Sequence, residues 1–192
     1  MVQRQPSMLS SLSQTDTVVE SRLAYSHRHA AGARTIVIAI KATAQDRLAT
    51  EPTDATPNHL LIDRALAALH ISGQDTILLA NVRPEVVSAK TKWYDSSIAV
   101  YASIYGAEER QRSLQLLQRY QSQLQRRGFR CRALALHGDK REQILAAAIR
   151  EQADCIVVGQ QRRHGPLTMK RSLSASLMQS CDIPTLAVNL PR

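Results

Sequence analysis

Cys155-Ile156-Val157-Val158-Gly159 is an unbroken apolar run closed by glycine. A half-exposed strand would alternate apolar and polar residues. This run does not alternate, so it reads as a strand covered on both faces, as in a parallel sheet. Downstream, Gln160 to Arg171 is a basic loop. Ser172 to Cys181 follows as a short helix carrying Leu173, Leu177 and Met178, and Pro184 to Leu190 is another apolar strand. Upstream, Gly138-Asp139 opens a helix through Gln152, with Ile144, Leu145, Ala148 and Ile149 inward at helical spacing. Asp139 reads as its N-cap. Phe129 to His137 is the strand before it.

The same alternation runs back to Thr35. Thr35-Ile36-Val37-Ile38-Ala39-Ile40 and Thr76-Ile77-Leu78-Leu79-Ala80-Asn81-Val82 are buried strands. Between them, Lys41 to Pro57 reads as a loop, and Asn58 as the cap of a helix to about Leu69, with Leu61, Ala65, Leu66 and Leu69 on one face. Pro84 to Gly106 holds Trp93, Tyr94, Tyr101 and Tyr105 and reads as a cover over one end of the sheet. Ala107 to Arg127 is a helix with the stripe Leu114, Leu117, Tyr120 and Leu124, stopped by Gly128. Five strands alternating with four helices predict an α/β fold: a five-stranded, mostly parallel sheet with helices on both faces, Rossmann-like. Residues 1–33 are polar and Ser/Gln/Arg-rich, without periodicity, and read as a disordered arm. The folded domain is expected over 34–192.

Composition narrows the function classes. Aromatics make up 4% of 192 residues, so the core must be aliphatic. The net charge of +9 favours anionic partners. Cys131, Cys155 and Cys181 lie far apart with no CxxC pair, which argues against a disulfide framework or zinc site and for a reducing, cytoplasmic compartment. No run approaches the ~20 apolar residues of a membrane span. The arm lacks the apolar core of a secretory signal. Arg4, Arg22 and Arg28 of the arm, with Arg34 just after it, leave mitochondrial targeting open, and Asp16 and Glu20 count against it.

In an open α/β sheet, ligands bind beyond the C-terminal strand ends. Three places qualify: Lys41-Ala42-Thr43, Val82-Arg83, and Gly159 to Ser172. The last combines a glycine suited to a sharp turn with Arg162, Arg163, His164, Lys170 and Arg171. Ser172 and Ser174 then open a helix whose N–H groups favour phosphate. The alternative is an ordinary helix N-cap under a solvated loop.

The segments Cys155 to Gly159, Ser172-Leu173-Ser174 and Asp182 to Val188, with His137-Gly138-Asp139 leading to Asp154, resemble the C-terminal signature of universal stress proteins. The element order from Thr35 to Leu190 is similar throughout. The resemblance implies an adenine nucleotide alpha hydrolase-like fold, a homodimer paired through Pro184 to Leu190, and a site for ATP, with Mg, or for AMP in many members. The ATP-binding branch carries an Asp at the end of its first strand and a G-x2-G-x9-G-S/T pattern after its fourth. Here the Asp position reads Lys41. Gly159 matches the first glycine and Ser172 the Ser/Thr, whereas the other glycine positions read Arg162 and Arg171, and Gly165 lies out of step. The candidate nucleotide positions are thus Ala39, Lys41 and Thr43 after the first strand and Val82 after the second. Those after the fourth are Gly159, Arg162, Gly165, Arg171, Ser172 and Ser174.

Two readings stay open: cationic side chains replacing backbone contacts to phosphate, or a degenerate site. The expectation is a non-enzymatic, dimeric stress-response protein with a degenerate or weak adenine-nucleotide site and unidentified protein partners. The alternative is a genuine ATP-binding module or slow ATP hydrolase. No catalytic residue or metal ligand is assigned. Arg119, Arg126, Arg127, Arg130 and Arg132 lack interleaved aromatics, so nucleic acid is the less favoured partner.

Overall fold

The computed structural model describes residues 32–43, 46, 56–83, 96–161 and 172–190, with side chains of 96–105 and 161 excepted. Its elements run β1 (Thr35–Ala39), α1 (Pro57–Ala68), β2 (Thr76–Arg83), α2 (Ser96–Arg126), β3 (Arg130–His137), α3 (Lys140–Arg150), β4 (Cys155–Gln161), α4 (Leu173–Ser180) and β5 (Thr185–Leu190). The sheet is parallel throughout, in the order β3-β2-β1-β4-β5. The expected arm, most of the Lys41 to Pro57 loop and the first part of the Pro84 to Gly106 segment lie outside the described residues.

Alternation of side chains across the strands explains the continuous apolar runs. Ile36 and Ile38 of β1, Ile77 and Leu79 of β2, and Cys155 and Val157 of β4 pack against Leu61, Ile62 and Ala65 of α1 and Leu117, Tyr120 and Leu124 of α2. The intervening Val37, Leu78, Ala80, Ile156 and Val158 pack against Ile144 and Ala148 of α3 and Leu177 of α4. Each central strand therefore feeds two cores at once. Burial pushes the Cys131 thiol up to about 12 and the Cys155 thiol to about 11, so both stay protonated at neutral pH.

Three local expectations are corrected. Thr56, not Asn58, caps α1: its hydroxyl accepts from His59 N, and Pro57 occupies the first helical turn. The Asn58 amide is needed elsewhere, as described below. The helix α2 starts at Ser96, so it takes up part of the segment expected as a cover. On α3, Ile149 is 62% exposed and Ala147 takes the inward place. Asp139 does cap α3, accepting from Arg141 N and Glu142 N. Gly128, at φ +86, supplies the left-handed residue that ends α2.

The two sheet edges differ. On β3, the exposed Arg130 and Arg132 lie at the border. On β5, Pro184 O faces β4, accepting from Ile156 N. By the period of two, the backbone groups of Thr185, Ala187 and Asn189 face outward. Arg64 Nη1 of α1 covers one of them, Asn189 O, at 2.6 Å.

At the N-terminal end of the sheet, Asp75 is 3% exposed and gathers the entry into β1. It accepts from Arg34 N (3.0 Å), Arg34 Nε (3.1 Å), Arg34 Nη2 (2.8 Å) and Ser72 N (2.8 Å). Asp154 Oδ2 takes the next amide, Thr35 N, at 2.7 Å. The Arg34 guanidinium holds the Asp75 carboxyl well below the usual carboxylate range. A carboxyl lowered on folding contributes stability in full above its unfolded value of ~3.9, and that contribution is lost as pH falls below it. Asp75→Asn should therefore cost about 2–3 kcal/mol at neutral pH, with the gap to the parent narrowing below about pH 4. Urea unfolding across that range checks both parts; a gap independent of pH contradicts the assignment.

Candidate functional site

The chain leaving β1 is held by side-chain amides that copy backbone pairing. Ile40 N donates to Ala80 O at 2.9 Å, continuing the ladder by one residue. Asn81 Nδ2 then donates to Ile40 O at 2.9 Å, and Ser113 Oγ of α2 donates to Asn81 Oδ1 at 2.8 Å. Asn58 clasps the next residue twice, accepting from Lys41 N (3.1 Å) and donating to Lys41 O (2.7 Å). These two asparagines fix where the Lys41 backbone stands.

Beneath this turn lies a buried carboxylate. Asp46 is 7% exposed. Its Oδ1 accepts from Tyr120 Oη at 2.7 Å; its Oδ2 accepts from Asn58 Nδ2 at 2.9 Å, Thr43 N at 2.9 Å and Thr43 Oγ1. Arg119 Nη1 donates to Asp46 O at 3.1 Å. Burial raises the Tyr120 phenol well above its usual value, so it stays a donor to Asp46 and a partner to Thr56 Oγ1 at 2.9 Å. A buried charge is tolerated when donors surround it, and here they come from α1, α2 and the turn itself.

Above this floor opens a cleft of about 540 Å³ across the C-terminal ends of β1 and β2. Among the described residues its walls carry five cations: Lys41, Arg83, Arg112, Arg119 and Lys140. Two described carboxylates also line it, and both are engaged. Asp46 is enclosed as described; Glu109 Oε1 accepts from Arg112 Nη1 at 2.6 Å. The ammonium groups of Lys41 and Lys140 have no acidic partner among the described residues. The cleft thus presents net positive charge.

The residues singled out from the sequence separate into groups. Ala39, Lys41 and Val82 line the cleft. Thr43 serves Asp46 instead. Gly159 makes no sharp turn: it lies within β4, paired with Val188, and an added Cβ would stand 2.6 Å from Leu190 Cδ1. Its bareness makes room for the β5 side chain. Ser172 is the N-cap of α4, accepting from Ala175 N at 3.2 Å and sharing a hydrogen bond with Ser174 Oγ at 3.0 Å. Leu173, between those serines, reaches the cleft. Arg162, Gly165 and Arg171 lie outside the described residues. Sequence reading missed Asp46, Asn81 and Lys140, and named Arg119 only as part of an arginine-rich face. Asn81 did leave a signal, as the one polar residue in the apolar run of β2. Arg119 is one arginine among many on α2 and left none.

The fold matches solved structures at low identity. UspA from Lactobacillus plantarum aligns with a TM-score of 0.57 at 11% identity, covering 82% of this chain and 99% of that one. A universal stress protein family protein from Arabidopsis thaliana, solved with AMP bound, aligns with a TM-score of 0.51 at 18% identity, covering 81% and 91%. One from Burkholderia pseudomallei aligns with a TM-score of 0.50 at 19% identity, covering 80% and 94%. No curated protein matches the chain significantly. The sequence model of the universal stress protein family matches residues 34–189, nearly the whole of the described sheet and its helices, and the chain belongs to that family.

Proposed function

We propose that this chain is a non-enzymatic stress-response module that binds an adenine nucleotide weakly, in the cleft over β1 and β2, through charge. The observation that carries this reading is the open cationic cleft, with Lys41 standing where the ATP-binding branch has an acid. Its volume suits a small-molecule ligand. The Arabidopsis relative with AMP bound makes adenine nucleotide the natural class of occupant. Lys41 and Lys140 would meet the phosphates as point charges. With both lining carboxylates engaged, neither is placed to act as a free general base, which favours binding over hydrolysis.

The nucleic-acid reading loses support on α2 and β3. Arg119 is turned to Asp46 O, Arg127 pairs with Asp63 at 2.7 Å, and Arg132 pairs with Glu151 at 3.0 Å. For assembly, we propose a homodimer through the outer edge of β5.

Calorimetric titration with MgATP and with AMP should give saturable binding that weakens as salt rises. Lys41→Asp should weaken it about tenfold, the value of one charge-assisted contact. Binding that is absent, or tightened by Lys41→Asp, rejects the charge-based site. Tyr120→Phe should cost about 1–2 kcal/mol and lower nucleotide affinity, because Asp46 loses a donor and the turn carrying Lys41 loosens. A loss of stability with affinity intact would separate the buried network from the site. Sedimentation equilibrium should return about twice the 21.3 kDa chain mass; a monomer at micromolar concentration removes the dimer.

A further inference from the structure

A second cavity, about 620 Å³, lies at the corner where the ends of β2 and β3 meet α2. On the α2 side of the sheet, β2 presents Ile77, Leu79, Asn81 and Arg83, and β3 presents Cys131, Ala133, Ala135 and His137. Both rows begin apolar and end in a polar nitrogen-bearing side chain. Arg83 and His137 are register partners, so their side chains leave the sheet on the same face. Arg83 Nη1 is anchored on Gly106 O of α2 at 3.1 Å. Arg110, one turn further along α2, and Gln111 complete the polar lining, and no carboxylate among the described residues lines the cavity.

The observation that points to a ligand is on Arg83. Arg83 Nε is buried and has no hydrogen-bond acceptor among the described residues. A buried guanidinium N–H left unmatched is costly, and native proteins rarely keep one without a use. Gly106, a helix-weakening residue inside α2, lines the same cavity, and a Cβ there would meet nothing within 4 Å. An alanine would fit without a clash and favour the helix. The glycine leaves this part of the cavity floor without a side chain.

We propose that this corner is a second ligand site, taking a tetrahedral phosphate-type oxyanion between Arg83, Arg110 and His137. Arginines suit this role because their planar N–H forks match phosphate oxygens. The site is distinct from the cleft over β1, although Arg83 borders both, and it stands or falls independently of nucleotide binding there.

The test uses the full chain and inorganic phosphate, by calorimetry and by thermal shift against chloride at matched ionic strength. Saturable phosphate binding with a raised Tm is expected. Arg110→Gln and Gly106→Leu should each weaken it about tenfold. Gly106→Leu fills the cavity with a good helix former, so its effect does not rest on unfolding. Lys41→Asp should leave phosphate affinity within about twofold while lowering that for AMP. Absence of saturable phosphate binding overturns the proposal. So does phosphate binding that survives Arg110→Gln and is lost in Lys41→Asp, which assigns the anion to the first cleft.

Discussion

The middle of this sheet is covered on both sides, and that constraint organises everything else. β1 and β4 sit between two helical layers, so no residue within them can carry an unmatched charge. Polar chemistry is driven to the strand ends. At the entry end it takes the form of acids gathering backbone amides, Asp75 for Arg34 and Asp154 for Thr35. At the exit end, Asn81, Asn58 and Asp46 hold the turn after β1, and Arg119 joins them at Asp46 O. The functional surface is therefore a consequence of where the apolar runs stop.

The fold was legible because burial on two faces leaves a strong mark. Runs such as Ile36 to Ile40 and Cys155 to Val158 have no solvent-facing position and admit no other reading in a chain that alternates strands with amphipathic helices. Helix boundaries were less legible. Asn58 is a good capping residue by type, yet its amide is committed to Lys41, and Thr56 two residues earlier caps instead. Ile149 belongs by composition to the inward face of α3 and by geometry to the outside. Such outcomes depend on what lies across the gap, which no local pattern contains.

The cleft was legible in location and only partly in content. The rule that ligands sit beyond C-terminal strand ends points to Lys41 and Val82, and both line it. Gly159 shows the opposite case. A glycine after an apolar run suggests a turn, and here it is a strand residue whose missing side chain admits Leu190. The buried Asp46 lies in a stretch that reads as a polar loop, and its partners come from positions 43, 58 and 120. A network assembled over that span has no signature in spacing.

The unequal sheet edges bear on how far assembly can proceed. β3 borders solvent with Arg130 and Arg132, a charged margin that repels strand addition. The backbone groups of Thr185, Ala187 and Asn189 face outward on β5, and Arg64 covers Asn189 O. If two copies paired through β5, each would present only the β3 margin to a third, and strand addition there would meet Arg130 and Arg132. The charge on one edge would then act as a stop against fibre formation.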